Sequence, residues 1–320
     1  MSHVPYRYGS IVSVTDTLLE NNEAVYKQRT YLDLVRQFET KASLFAAYPV
    51  SAVKRFEAGI SAGHYSFRVE RFNDYFKNVG SGLKKDKEVL NAPSGYALSE
   101  ADLAYVFDNS YFGVTSPMQG SRYRLQYSRR FGTLDYNTWL TDYRKYFFMR
   151  PFCVAFRGFA QIREGTNAES ERINPLFAGY PWYIRGYNDL SFQTKNAQSD
   201  NDIQIDQLLG SKLIISNVEL RIPFTGPKRL SLVASRFLFI DFAVFFDAGL
   251  AWKSSSKVAF NWQPVGNKRI PVYSTGASLR INMFGLLVLE PYCAIPLQRQ
   301  NLVNQLSLKG VFGLNFWPGW

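Results

Sequence analysis

The stretch Phe237–Trp252, FLFIDFAVFFDAGLAW, decides the fold. Extended, it sets Leu238, Ile240, Phe242, Val244 and Phe246 on one face and Asp241 and Asp247 on the other. Alternation with period two describes a strand with one apolar and one wet side. The run also exceeds the roughly 5–6 residues of a strand in a soluble protein. It reaches the ~9–11 residues that a membrane-crossing strand requires.

The same pattern extends in both directions. In Lys212–Phe224, Ile214, Val218, Leu220 and Ile222 oppose Asn217, Glu219 and Arg221. In Leu306–Trp317, Leu308, Phe312, Leu314 and Phe316 oppose Ser307, Lys309 and Asn315. Upstream, Tyr26–Phe38, Arg55–Val69, Leu98–Asp108, Arg122–Phe131, Asn137–Phe148 and Phe152–Arg163 alternate as well, and Tyr273–Asn282 and Leu286–Pro296 complete the series. Pro5–Val14 reads as a partial strand, the second half of one that began earlier. The total is about twelve strands.

The connections differ in length. Met149–Pro151 and Met283–Gly285 are tight, whereas Phe72–Ala97, Glu164–Gly210 and Lys253–Pro271 are long and polar. Short turns at one end and long loops at the other is the layout of an outer-membrane barrel. Two segments break it. Gly132–Asp135 is short on the outer side, and Glu39–Lys54 is long on the inner side, where Lys41–Tyr48 reads as one or two turns of helix. Aromatic residues make up 16% of the chain, and Tyr111, Phe112, Phe147, Phe148, Trp252, Trp317 and Trp320 sit at strand ends, as interfacial girdles do.

Composition excludes several classes. With 46% hydrophobic and 20% charged residues the chain is not disordered. No apolar run approaches the ~18 residues of a transmembrane helix. The mean hydropathy of −0.19 also suits a barrel, because a polar lumen side averages the lipid side away. The two cysteines, Cys153 and Cys293, fall on opposite faces of their strands and form no disulfide framework. The two histidines, His3 and His64, lie far apart and near no cysteine, so no metal-binding pattern exists. Neither a phosphate-cradling loop nor a nucleophile elbow is present. No catalytic residue, no metal site and no cofactor is expected. The net charge of +11 comes with no nucleic-acid motif, so no nucleic-acid partner is expected. Residues 1–22 lack the charged and apolar regions of a signal peptide.

Four phrases follow one another in order. The longest linker carries Gly179-Tyr-Pro-Trp-Tyr-Ile184-Arg185-Gly186-Tyr187. Next come Val218-Glu219-Leu-Arg-Ile-Pro223, then Phe245-Phe-Asp247-Ala-Gly-Leu-Ala-Trp252, then Ser274-Thr-Gly-Ala-Ser-Leu-Arg280. This ordered set resembles the C-terminal barrel of the BamA/TamA-type outer-membrane assembly and translocation superfamily, also called the bacterial surface antigen family. The likeness is strongest over Phe152–Trp320, and the phrase Val4–Gly9 and the turn at Tyr48-Pro49 are similar to the sub-group with an upstream TolB-like propeller. The resemblance implies an all-β, antiparallel transmembrane β-barrel with long extracellular loops and an inserted loop. In it, Ile184, Arg185, Gly186 and Tyr187 form the inserted-loop motif, and Glu219 and Asp247 are lumen acidic partners of Arg185. The chemistry agrees, since an arginine fork suits paired carboxylates. A hydrated lumen would make that pairing worth about 1 kcal/mol.

The superfamily's usual barrel has sixteen strands, so the resemblance implies that residues 1–320 are a partial outer-membrane barrel domain whose first strands are missing. The implied function is insertion or translocation of client proteins at the outer membrane, without catalysis. Implied partners are outer-membrane lipid and lipopolysaccharide, client outer-membrane proteins, and periplasmic or lipoprotein partners. The alternatives are a passive outer-membrane pore or transport channel, an inactive truncated fragment, and a soluble β-protein. Val218, Leu220, Phe242, Val244, Leu314 and Phe316 are expected to face lipid, and Asn217, Arg221, Asp241, Lys309 and Asn315 the lumen.

Overall fold

The computed structural model describes residues 2–20, 23–76, 82–113, 115–192, 203–263, 266, 268–283, 287–299 and 310–316. Twelve strands form the main path of the sheet: β1 (Ser2–Glu20), β2 (Glu23–Ser51), β3 (Lys54–Phe76), β4 (Tyr96–Asp108), β5 (Pro117–Gly132), β6 (Tyr136–Met149), β7 (Phe152–Glu164), β8 (Lys212–Gly226), β9 (Leu238–Trp252), β10 (Val272–Met283), β11 (Leu287–Pro296) and β12 (Val311–Phe316). The fold is all-β, and no described helix is long and apolar enough to cross a membrane.

The chain divides into two compact units, and the division passes through strands. The first holds Met1–Phe45, Gly59–Ala101 and Arg130–Leu134. Within it β1 and β2 form one uninterrupted antiparallel hairpin, in register from Ser2 opposite Lys41 to Glu20 opposite Glu23. The partial strand expected at Pro5–Val14 is therefore corrected to a full-length one. A full ladder satisfies the backbone groups of the whole segment, its Gly9-Ser10 included. The long loop expected at Phe72–Ala97 is also shorter. Gly82–Leu90 folds back as a strand on Val69–Phe76 of β3.

The second unit holds Ala46–Ala58, Asp102–Arg129 and Asp135–Trp320. Its strands pair in chain order from the end of β2 to β12. The ladders from β6 to β12 are all antiparallel. The helix expected at Lys41–Tyr48 is absent, because β2 continues to Ser51 and a two-residue turn leads into β3. Ala-rich sequence favours a helix only weakly, and pairing with β3 overrides that preference. The correction removes the long inner connection, so β2–β3 and β6–β7 are joined tightly at the same end of the sheet, where Met283 of β10 also pairs with Leu287 of β11.

The two faces follow the alternation. Val218 and Leu220 are each 41% exposed, Val244 is 45% and Leu314 is 52%, and Phe242 and Phe316 are exposed as well. Asn217, Arg221 and Asp241 are each 1% exposed on the opposite face. Asn315 shares that inner face and donates to Glu290 at 3.3 Å. Lys309, Trp317 and Trp320 lie outside the described residues. An apolar face left bare while arginine and aspartate are buried inverts the usual order of a soluble protein. It is the order required where the outer face meets hydrocarbon.

Candidate functional site: an arginine latch in the lumen

The linker between β7 and β8 leaves the sheet and folds onto its inner face. Backbone bonds from Tyr183 N and Ile184 N to Tyr180 O, at 2.8 and 3.0 Å, close a tight turn. Ile184 and Tyr187 are fully buried in a cluster with Ile203, Leu208, Leu213, Ile215, Ala251, Ile270 and Val272. The cluster is possible because Gly249 on β9 has no side chain. A Cβ there would lie 2.3 Å from Ile184 Cδ1. Gly186 has a φ of +91°, and a Cβ on it would approach Ala294 Cβ to 3.2 Å. Glycine is thus required both for the left-handed turn and for the close approach to β11.

That turn aims Arg185 at the sheet. Its Nε and Nη2 each lie 2.8 Å from an oxygen of Asp247, a bidentate pair. Its Nη1 lies 2.8 Å from Glu219 Oε1, and its own backbone N–H donates to Asp247 Oδ2 at 3.1 Å. The guanidinium plane covers the Phe245 ring, 3.5 Å above its centre. The β8–β9 register explains the convergence. Asn217 is opposite Asp247 and Glu219 is opposite Phe245, so both carboxylates and the ring lie on adjacent inward positions. The structure therefore brings together Ile184, Arg185, Gly186, Tyr187, Glu219 and Asp247, all six residues expected from the motif order.

The network extends beyond them. Arg280 on β10 donates from Nη2 to both Glu219 oxygens at 3.0 and 2.8 Å, and from Nε to Glu290 Oε1 on β11 at 3.0 Å. Arg221 donates from Nε to Glu219 Oε2 at 2.8 Å. Three guanidinium groups thus face three carboxylates, all of them buried. Arg185 is 3% exposed and Glu219 and Asp247 are 0%. The expectation of a hydrated pair worth about 1 kcal/mol is corrected here. Removing one partner of a buried ionic network costs about 3–5 kcal/mol, because the others are left uncompensated.

Other side chains hold the loop backbone. Arg157 Nη1 donates to Trp182 O at 2.8 Å, and Asn217 Nδ2 donates to Tyr183 O at 2.7 Å and to Asp247 Oδ1 at 2.8 Å. Tyr187 Oη lies 3.1 Å from Tyr273 O and 3.2 Å from Gln298 Oε1. Arg299 donates to the carbonyl of Ser191 at 2.8 Å. In the loop, Glu169 accepts from Ser211 Oγ and from Ser254 N, each at 2.6 Å. Burial opposes the charge of Glu169, but those two donors outweigh it and hold its pKa below the usual carboxylate range.

A second segment reaches the same inner face from the opposite end of the sheet. In the turn between β4 and β5, Thr115 donates through its hydroxyl to Asp241 Oδ2, and Ser116 Oγ lies 3.4 Å from the same oxygen. Pro117 O accepts from Arg221 Nη1 at 2.9 Å, and Met118 O accepts from the Cys153 thiol at 3.2 Å. Met118, Tyr146, Cys153 and Ala155 form a small buried cluster. Through Arg221, this strap shares Glu219 with the arginine latch.

Alternation placed Asn217, Arg221 and Asp241 inward, but attached no role to them. The roles of Arg157, Arg280, Glu290 and Phe245 were also missed. Arg280 ends the last of the four phrases, and its inward parity was the only signal for it. Among the described residues no group of histidine, cysteine, aspartate and glutamate is arranged to hold a metal ion. The two cysteines are free.

A family model described as the Omp85 superfamily domain matches residues 4–315. No curated protein matches the sequence. Among solved structures, the crystal structure of BamA from Haemophilus ducreyi lacking POTRA domains 1–3 is similar with a TM-score of 0.48 and 11% identity, over 98% of this chain and 69% of that one.

Proposed function

The chain belongs to the Omp85 superfamily of bacterial outer-membrane β-barrel proteins, and from that premise we propose that it inserts or translocates client proteins at the outer membrane, without catalysis and without a cofactor. The observation that carries this reading is the arginine latch. A bidentate arginine shared by two buried carboxylates is a costly arrangement to maintain in a sheet, and it serves to hold a loop in one position. Glu219 and Asp247 are its partners, and Ile184, Gly186 and Tyr187 seat the tip. The held loop braces the inner faces of β7 to β11, leaving strand edges elsewhere as the surface that can pair with a client strand by backbone hydrogen bonding. The partners in this reading are client outer-membrane proteins, periplasmic or lipoprotein assistants, and the lipid and lipopolysaccharide around the barrel.

The alternative of a passive pore is disfavoured by the two segments occupying the inner face, since an open channel has no need of either. The test is reconstitution of the full chain in liposomes with an unfolded outer-membrane barrel as client. The wild type should accelerate client folding and show no large steady conductance. Arg185→Ala should slow client folding while the protein stays inserted. Equal client folding with and without the protein, together with a steady open conductance, would establish the pore.

A further inference from the structure

The outer face of the second unit carries a groove. Its volume is about 760 Å³, and it crosses β2 to β6. Phe56 and Tyr105, with ring centres 5.1 Å apart, line it on β3 and β4. Tyr127 and Trp139, 4.5 Å apart, line it on β5 and β6. Ala46 and Ala58 leave it open, because small side chains stand where large ones would fill it. Ring contacts running Phe56–Tyr105–Tyr123–Tyr143–Phe156 carry this surface onto β7. There Phe156 is the cross-strand partner of Val218, so the groove opens on the face that meets lipid.

The groove begins beside the tight β2–β3 turn, at the short-turn end that faces the periplasm in an outer-membrane barrel. Lys54 is the first residue of β3 and shares a face with Phe56 and Ala58. It is exposed and makes no hydrogen bond or ion pair among the described residues. From Tyr48 and Phe56, the latter two residues beyond Lys54 on the same face, the groove climbs to the middle of β5 and β6. Most exposed residues of a lipid face present separate side chains to disordered acyl chains. Here an apolar trench lies beside a cation, Lys54, that has no ion-pair partner among the described residues.

We propose that this groove is a binding site for one phospholipid of the periplasmic leaflet, its acyl chain in the trench and its phosphate on Lys54. The assignment follows from charge and polarity together. The trench offers hydrocarbon contact along most of its length, and the exposed cation Lys54, one alternate position from Phe56 on the same face, favours an anion at the turn end. A peptide strand would bring backbone N–H and C=O groups into hydrocarbon without partners, which costs several kcal/mol per group. An acyl chain brings none.

Native mass spectrometry of the full chain, released from detergent micelles with added phosphatidylglycerol, tests the site. The wild type should retain one phosphatidylglycerol. Ala58→Trp should lose it, and Ala46→Leu should weaken it, since both fill the trench from an exposed surface without touching the inner network. Lys54→Glu should weaken retention by about fivefold or more, the worth of one lysine beside an anionic lipid. Heat-modified mobility on gels confirms that each variant is folded. Wild-type retention in folded Ala58→Trp and Lys54→Glu would overturn the assignment. So would a dimer that disappears in Ala58→Trp, which would make a second copy the occupant.

Discussion

At the scale of single residues, Arg185 is the side chain on which the inner face turns. Its charge is shared by Asp247 and Glu219, both fully buried. Arg185→Ala is expected to destabilise the protein by about 3–5 kcal/mol, read as a lower denaturation midpoint in detergent, because a carboxylate is left bare in a dry site. Arg185→Lys should recover only part of the loss. An ammonium keeps the charge but not the fork that matches Asp247 with two parallel bonds. Equal stability of Arg185→Ala and wild type would mean that water enters and solvates the carboxylates. The arginine and its two acids were legible from motif order and strand parity. Arg280 and Glu290 were not, because nothing local distinguishes an inward charge with a cross-strand partner from an inward charge in water.

At the scale of elements, both segments on the inner face are held by polar contacts that can be released separately. The strap at Thr115–Met118 covers Cys153, which is fully buried. Asp241→Ala removes its acceptor for Thr115 and Ser116. The expected result is faster reaction of Cys153 with a water-soluble maleimide, with Cys293 as an internal reference on the other face. An unchanged rate would show that Met118 packing alone holds the strap. The outer loops are joined differently, by Glu169 to Ser211 and Ser254. Because the folded pKa of Glu169 lies below its ordinary value of 4.5, the clasp is fully present above that value and is lost as pH falls through the lowered one. Protection factors for hydrogen exchange in residues 166–175 and 253–257 should therefore fall in acid but stay constant between pH 6 and 8. Glu169→Gln should remove the difference. No periodic signal marks such clasps, since loop residues alternate with nothing. The strand limits of β1 and β2 were misread for a related reason: short windows of Gly, Ser and Ala report weak local preferences, and the long hairpin ladder decides against them.

At the scale of the whole molecule, the outer surface is the quantity that the membrane tests. Val244 lies in the middle of β9, opposite Leu220 on one side and Ala277 on the other, and its side chain is exposed. Val244→Arg is expected to cost about 2–4 kcal/mol at the bilayer midplane, measured as a folding equilibrium in lipid vesicles. A neutral result would mean that this face meets water. The all-β class, the positions of most strands and the lipid-facing side were determined by the sequence alone. Period two is a local property that survives wherever the strand pairs, and a one-residue slip would reverse every face. What only the tertiary structure decided is how the inner face is occupied. Arg185 and Glu219 are 34 residues apart and Arg185 and Asp247 are 62. Their meeting depends on the β8–β9 register, on the space left by Gly249, and on the exclusion of water from the site. None of these is written in the alternation, because each is a relation between segments brought together by folding.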